Sequence, residues 1–185
     1  MNRGSRLLAH ERRARRRRRA RHPSGRARLP SAAQVITVSS HARDIPTRSG
    51  DPEILRLIRD LAAVSWHSHY FDYPGAGPDL EVVATESELS HDALLVGLDR
   101  RIRHRLPHRR RRRVKVHTEP LAMVIDRLVS LAITHSVLAV AGDRRGGVRE
   151  LDTALADLAL GYDQLVAELT TGRRRQPRFA ISRAI

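Results

Sequence analysis

Residues 148–172 read VRELDTALADLALGYDQLVAELTTG, and within them Val148, Leu151, Leu155, Leu158, Tyr162, Leu165 and Leu169 recur at alternating steps of three and four. That spacing puts seven large apolar side chains on one face of an α-helix. Gly172 stands where a helix-ending glycine belongs. A helix with a single apolar stripe is stable only when the stripe is covered, so the neighbouring sequence must supply the cover.

Working outward, Gly142-Asp143-Arg144-Arg145-Gly146-Gly147 reads as a tight helix–helix link. Before it, Thr118 as a cap and Pro120 in the first turn announce a helix whose face carries Leu121, Val124, Ile125, Leu128, Val129, Ala132 and His135. A further helix is expected from about residue 79 to 104, closed by Pro107, on a stripe of Leu80, Val83, Ser87, Leu94, Leu98, Ile102 and Leu106. The first helix opens at Asp51 as N-cap, with Pro52 in the first helical position and Glu53 against the positive end of the dipole. It runs to about Phe71, where Tyr73-Pro74-Gly75-Ala76-Gly77-Pro78 stops it. The β-branched run Val35-Ile36-Thr37-Val38 would be a lone strand without a partner, so residues 31–50 read as an irregular or weakly helical lead-in. The expected fold is all-α, an antiparallel bundle of about four helices over residues 51–172 with disordered Arg-rich ends at 1–30 and 173–185.

Composition removes several classes of protein. The chain has 185 residues and no cysteine, which excludes disulfide scaffolds, Cys-ligated metal and Cys nucleophiles. Aromatics are 3%, too few for a typical β-sandwich or barrel. No uninterrupted apolar run reaches membrane-spanning length, so no membrane span is expected. Neither Gly-x-Ser-x-Gly nor a phosphate loop nor a dinucleotide fingerprint occurs, and no cofactor is implied.

The formal net charge is +15, and it is clustered. Residues 1–30 hold 12 Arg and one acid, Glu11; residues 100–115 hold nine Arg and Lys115 with no acid; residues 173–185 hold five Arg. Between them, residues 31–99 carry 11 acids against four Arg, and residues 116–172 carry eight acids against four Arg. The chain therefore reads as a mildly acidic body with basic appendages. The near-complete preference for Arg over Lys fits the codon usage of a GC-rich genome, whereas the clustering asks for another reason. Arg15, Arg16, Arg17, Arg18 and Arg19 form an unbroken run, as do Arg109, Arg110, Arg111, Arg112 and Arg113. These are the candidate contacts to nucleic acid or another polyanion, of a non-specific and salt-sensitive kind because no aromatics are interleaved for stacking. Two opposed expectations attach to the arm: a real anion-binding device, or an inert extension from an over-called translation start.

A candidate interior pocket gathers Trp66, His67, His91, Asp126, Arg127 and His135. Four of the six aromatics fall in Trp66-His67-Ser68-His69-Tyr70-Phe71-Asp72-Tyr73, and Glu88-Leu89-Ser90-His91 has the Glu-x-x-His spacing of bundle metal sites. A second such pair is missing, and aromatic core with polar helix faces is the plainer account. Asp126 adjoins the apolar stripe and needs a partner, such as a basic group from the preceding helix. His135, on an apolar face, is more simply a satisfied histidine than a catalytic base.

Three stretches resemble an uncharacterised family of all-helical bacterial proteins, the domain-of-unknown-function family numbered four-two-five-four. Thr118-Glu119-Pro120-Leu121-Ala122-Met123-Val124-Ile125-Asp126-Arg127-Leu128 is similar to the family's opening of a helix with Ile-Asp-Arg-Leu. Leu165-Val166-Ala167-Glu168-Leu169-Thr170-Thr171-Gly172-Arg173-Arg174-Arg175 is similar to its closing helix, glycine and basic tail. The helix around Trp66 resembles a third element, although His67-Ser68-His69 stands where the family carries acids. The resemblance spans roughly residues 50–178. It implies a helical fold and a bacterial cytoplasmic setting, singles out Asp126, Arg127 and Trp66, and brings no activity.

The function expected is thus a helical binding or assembly module whose Arg-rich segments contact nucleic acid or other polyanions. The alternative is a helical-bundle enzyme, metal-assisted, working from the His/Asp pocket. Self-association through an apolar helix face is a third expectation.

Overall fold

The computed structural model describes residues 28–40, 50–71, 80–107, 114–141 and 147–177, without the side chains of 67–71, 80–85, 87 and 141. Those residues form five helices, α1 (Ala32–Ser40), α2 (Pro52–Phe71), α3 (Leu80–Arg105), α4 (Leu121–Ala141) and α5 (Gly147–Thr171). Two strands of two residues each, β1 (Lys115–Val116) and β2 (Arg174–Arg175), complete the set. The fold class is all-α.

The central element is α4, which packs against α1, α2, α3 and α5, while α3 and α5 do not pack on each other. Its sequence explains the position. Leu121, Ala122, Val124, Ile125, Leu128, Val129, Ala132 and Ile133 are all buried, so the first half of the helix is apolar on nearly every side. The stretch Leu121–Val140 is long and apolar enough to cross a membrane by length and composition alone, with a mean hydropathy of 1.6. It also contains Asp126 and Arg127. Ile54, Leu55, Ile58 and Leu61 from α2, Leu98 and Ile102 from α3, and Tyr162, Leu165 and Leu169 from α5 join it in one core.

Sequence expectation and structure part at the N-terminal end. Residues 32–40, read above as an irregular or weakly helical lead-in, form the full helix α1, and Val35 and Val38 are buried in the core. The helix starts with a reciprocal cap: the Gln34 N–H donates to Ser31 Oγ (3.3 Å), and the Ser31 N–H donates to Gln34 Oε1 (3.0 Å). Burial of Val35 and Val38 outweighs the few tenths of a kcal/mol by which β-branched residues disfavour helix. Leu29 and Pro30, assigned by the sequence reading to the arm, are buried as well. The Tyr162 hydroxyl donates to the Pro30 carbonyl (3.0 Å), and the Ala32 N–H donates to Asp163 Oδ1 (2.9 Å). The basic arm therefore ends at residue 27 or earlier, not at residue 30.

At the other end the glycine stop of α5 holds. Gly172 has φ +71°, its N–H donates to the Leu169 carbonyl (3.2 Å), and the Arg173 N–H donates to the Glu168 carbonyl (2.9 Å). This pair of bonds satisfies the last carbonyls and turns the chain out of the helix. It then enters β2, which pairs in parallel with β1, Lys115 opposite Arg174 and Val116 opposite Arg175.

Candidate functional site

The described roots of the three basic segments lie near the C-terminal end of α3, and Asp51 joins two of them. Asp51 is fully buried and caps α2, its Oδ1 accepting the Glu53 N–H at 3.0 Å. Its own N–H donates to the Arg28 carbonyl at 3.0 Å, which holds the root of the N-terminal arm against the start of α2. The carboxylate also accepts from Arg101 (3.3 Å) and from Arg105, both in the last turns of α3. Burial works to raise the Asp51 pKa, but hydrogen bonds from Arg101, the Glu53 N–H and Arg105 outweigh it and hold the group below its ordinary value.

Arg103 lies two residues along from Arg101, so it leaves α3 on roughly the opposite side. Its Nε donates to Asp99 (2.7 Å) and its Nη1 to the Pro177 carbonyl (3.0 Å), which fixes the root of the C-terminal tail. Alternate arginines of one helix end thus hold Asp51, which bonds the first described residue of the chain, and Pro177, the last one. Arg101, Arg103 and Arg105 are committed to these contacts, while Arg100 is exposed. Part of what reads in sequence as a single basic connector is therefore fold-forming.

A cleft of about 310 Å³ opens at this end, lined by Arg103, Leu106, Pro107, Val114, Leu169, Gly172, Arg174, Arg175 and Gln176. Residues 108–113 join Pro107 to Val114, two residues of its lining; Arg109, Arg110, Arg111, Arg112 and Arg113 lie outside the described residues, as do Arg15, Arg16, Arg17, Arg18 and Arg19. Gln176 serves α4 as well. Its Oε1 accepts the Leu121 N–H (3.3 Å), so Gln176, not Thr118, supplies the oxygen there. Its Nε2 is buried and has no acceptor among the described residues, and Asp99 Oδ1 is likewise buried with no donor among them.

A second cleft of about 310 Å³ lies between α4 and α5, and Arg174 of β2 lines it as well as the first. Two ion pairs mark it, Arg127 with Glu119 and Arg174 with Glu168, together with His117.

The residues proposed from sequence as one interior pocket are distributed over separate contacts. His91 on α3 donates from Nε2 to Asp126 Oδ1 on α4 (2.9 Å), so the partner Asp126 requires is a basic group of the preceding helix, as its position implies. That hydrogen bond raises the His91 pKa; burial opposes it, and the charges of Asp126 and Asp92 add to it. Arg127 turns to Glu119 instead. His135 pairs with Asp152 on α5 (2.8 Å), and the Trp66 indole N–H donates to the Ser39 carbonyl (3.1 Å), tying α2 to the end of α1. The His67 side chain lies outside the described set. Among the described residues no three His, Asp or Glu side chains are grouped as metal ligands would be.

Sequence reasoning missed Asp51, Arg101, Arg103, Arg105 and Gln176 as a connected set. Asp51 carried a readable capping signal, but nothing in spacing linked it to a helix end fifty residues later. Comparison of the chain with protein-family models, with curated proteins and with solved structures gave no match.

Proposed function

We propose that this protein is a helical binding module that takes hold of a polyanion, nucleic acid foremost, through a single basic pole. The observation that carries this reading is the convergence of chain exits. The arm leaves at Arg28 beside Asp51, the connector leaves at Pro107 and returns at Val114, and the tail leaves at Pro177 against Arg103. Covalent continuity then roots 11, five and two further arginines within reach of the same end (residues 1–27, 109–113 and 178–185). Charges concentrated on one pole raise the local potential far more than the same charges spread over the surface. Arginine's fork suits phosphate, and displaced counterions supply the driving force. The bacterial cytoplasmic setting implied by the family resemblance belongs to the same proposal.

The test is binding to a duplex of about 20 base pairs over a salt series, for the whole chain and for a chain lacking residues 1–27. Six to ten neutralised phosphates give a slope of about −5 to −9 in log K against log salt. Loss of most affinity on truncation assigns the grip to the arm. Retention moves it to the connector, where replacing Arg109, Arg110, Arg111, Arg112 and Arg113 by serine should abolish it. No binding at about 50 mM salt, or a slope near zero, overturns the proposal.

A further inference from the structure

We infer that the cleft between the end of α3 and the β1–β2 pair binds a phosphorylated small molecule with an apolar body, of the nucleoside monophosphate class. The inference names a ligand for one part of the basic pole and rests on the reading of that pole as an anion-binding surface.

Three features of the cleft carry it. The first is a buried donor without an acceptor. The Leu121 N–H engages Gln176 Oε1 and so fixes the orientation of the amide, leaving Nε2 unpaired at a residue that lines the cleft. A buried donor left unmade costs about 1–3 kcal/mol, which an anionic oxygen placed there would recover. The second is charge. Arg103, Arg174 and Arg175 line the cleft, and among the described residues no acidic side chain does. Arg103 and Arg174 are braced by Asp99 and Glu168, so two of the cations are already held in place, while Arg175 has no ion-pair partner among the described residues. Preorganised cations lose less side-chain entropy when an anion arrives.

The third is size and surface. At about 310 Å³ the cleft is at the lower end of small-ligand sites, and Leu106 and Leu169 contribute an apolar wall that a bare inorganic anion would leave uncovered. A phosphate on Gln176 Nε2 and Arg175, with a flat apolar body against the leucines, uses all three features. A free nucleotide and the terminal nucleotide of a nucleic-acid strand present the same chemistry.

The experiment is calorimetric titration of the full chain with AMP, adenosine and inorganic phosphate, repeated for Q176E and R175A. Gln176→Glu keeps an oxygen for the Leu121 N–H and replaces the amide donor by a negative charge, so an unchanged unfolding midpoint separates binding from folding. AMP is expected to bind at least tenfold more tightly than adenosine or phosphate, with about a tenfold loss in Q176E and a smaller loss in R175A. No AMP binding up to millimolar concentration, or equal binding in Q176E, overturns the inference. If AMP fails while salt-sensitive duplex binding persists, the cleft inference falls alone. If AMP binds and the duplex does not, the polyanion proposal falls and the cleft stands. Competition of AMP by an oligonucleotide with a 5′-phosphate, but not by the same strand without it, identifies a strand end as the source. Absence of competition identifies a free nucleotide.

Discussion

Asp51 separates two contributions that usually travel together, a helix cap and a buried charge. Replacing it by asparagine keeps an oxygen for the Glu53 N–H at 3.0 Å and removes the charge that Arg101 and Arg105 share. Replacing it by alanine removes both. An N-cap contributes about 1 kcal/mol. Breaking a buried ion pair costs about 3–5 kcal/mol when the remaining charge is trapped. Here the two guanidinium groups are 36% and 28% exposed and can turn to water, so the charge contributes less, about 2 kcal/mol. The expected losses are about 2 kcal/mol for D51N and about 3 for D51A, read from urea unfolding with an unchanged m-value. The pH dependence has a definite sign. The folded-state pKa is depressed, so the stabilisation is complete above the ordinary aspartate value and is lost as pH falls through the folded value. D51N should therefore show a shallower acid decline than the native chain. Losses under about 0.5 kcal/mol in both variants, or D51N costing as much as D51A, would refute the division into cap and charge.

His91 titrates in the opposite sense. Its pKa is raised above 6.5 by Asp126, so its contribution is full below that pH and disappears as pH climbs through the folded value. An NMR titration should place His91 above 6.5 in the native chain and return it toward 6.5 in D126N; a native midpoint at or below 6.5 contradicts the pairing. Tyr162→Phe deletes the hydroxyl that holds the Pro30 carbonyl and should cost about 1 kcal/mol. Faster tryptic cleavage after Arg28 should accompany that loss, and an unaltered cleavage rate would show that the buried Leu29 and the bonds at Arg28 and Ala32 anchor the chain without the hydroxyl.

Legibility in the sequence followed how local each signal was. The stripe of α5 and its glycine stop, and the Asp51-Pro52-Glu53 opening of α2, are read from close neighbours in sequence. The stop and the opening stand as expected, while of the stripe only Tyr162, Leu165 and Leu169 are buried and Val148, Leu151, Leu155 and Leu158 are half-buried. The helix α1 was read only as an irregular or weakly helical lead-in because Val35-Ile36-Thr37-Val38 looks extended in isolation. Its actual signal was the Ser31-Ala32-Ala33-Gln34 capping box, whose weight shows only once α4 buries the valines. Asp126 announced its need for a base but not the identity of His91, because partner choice depends on how α3 registers against α4. The grouping of Trp66, Asp126, Arg127 and His135 failed for a related reason. Residues that share a chemical type need not share a side of a helix. Asp126 and Arg127 are adjacent in sequence, yet they reach α3 and Glu119 respectively.

The grip of α3 on both ends of the chain has a mechanical consequence. Because Asp51, which bonds Arg28, and Pro177 are both held by alternate residues of one helical end, part of a load entering through one terminal segment and leaving through the other crosses the last turns of α3, and the rest passes through Pro30 and Ala32 into α5. Tension between two tethers would first part a few ionic contacts at the pole, peeling the ends free one bond at a time, before any helix in the core was asked to slide.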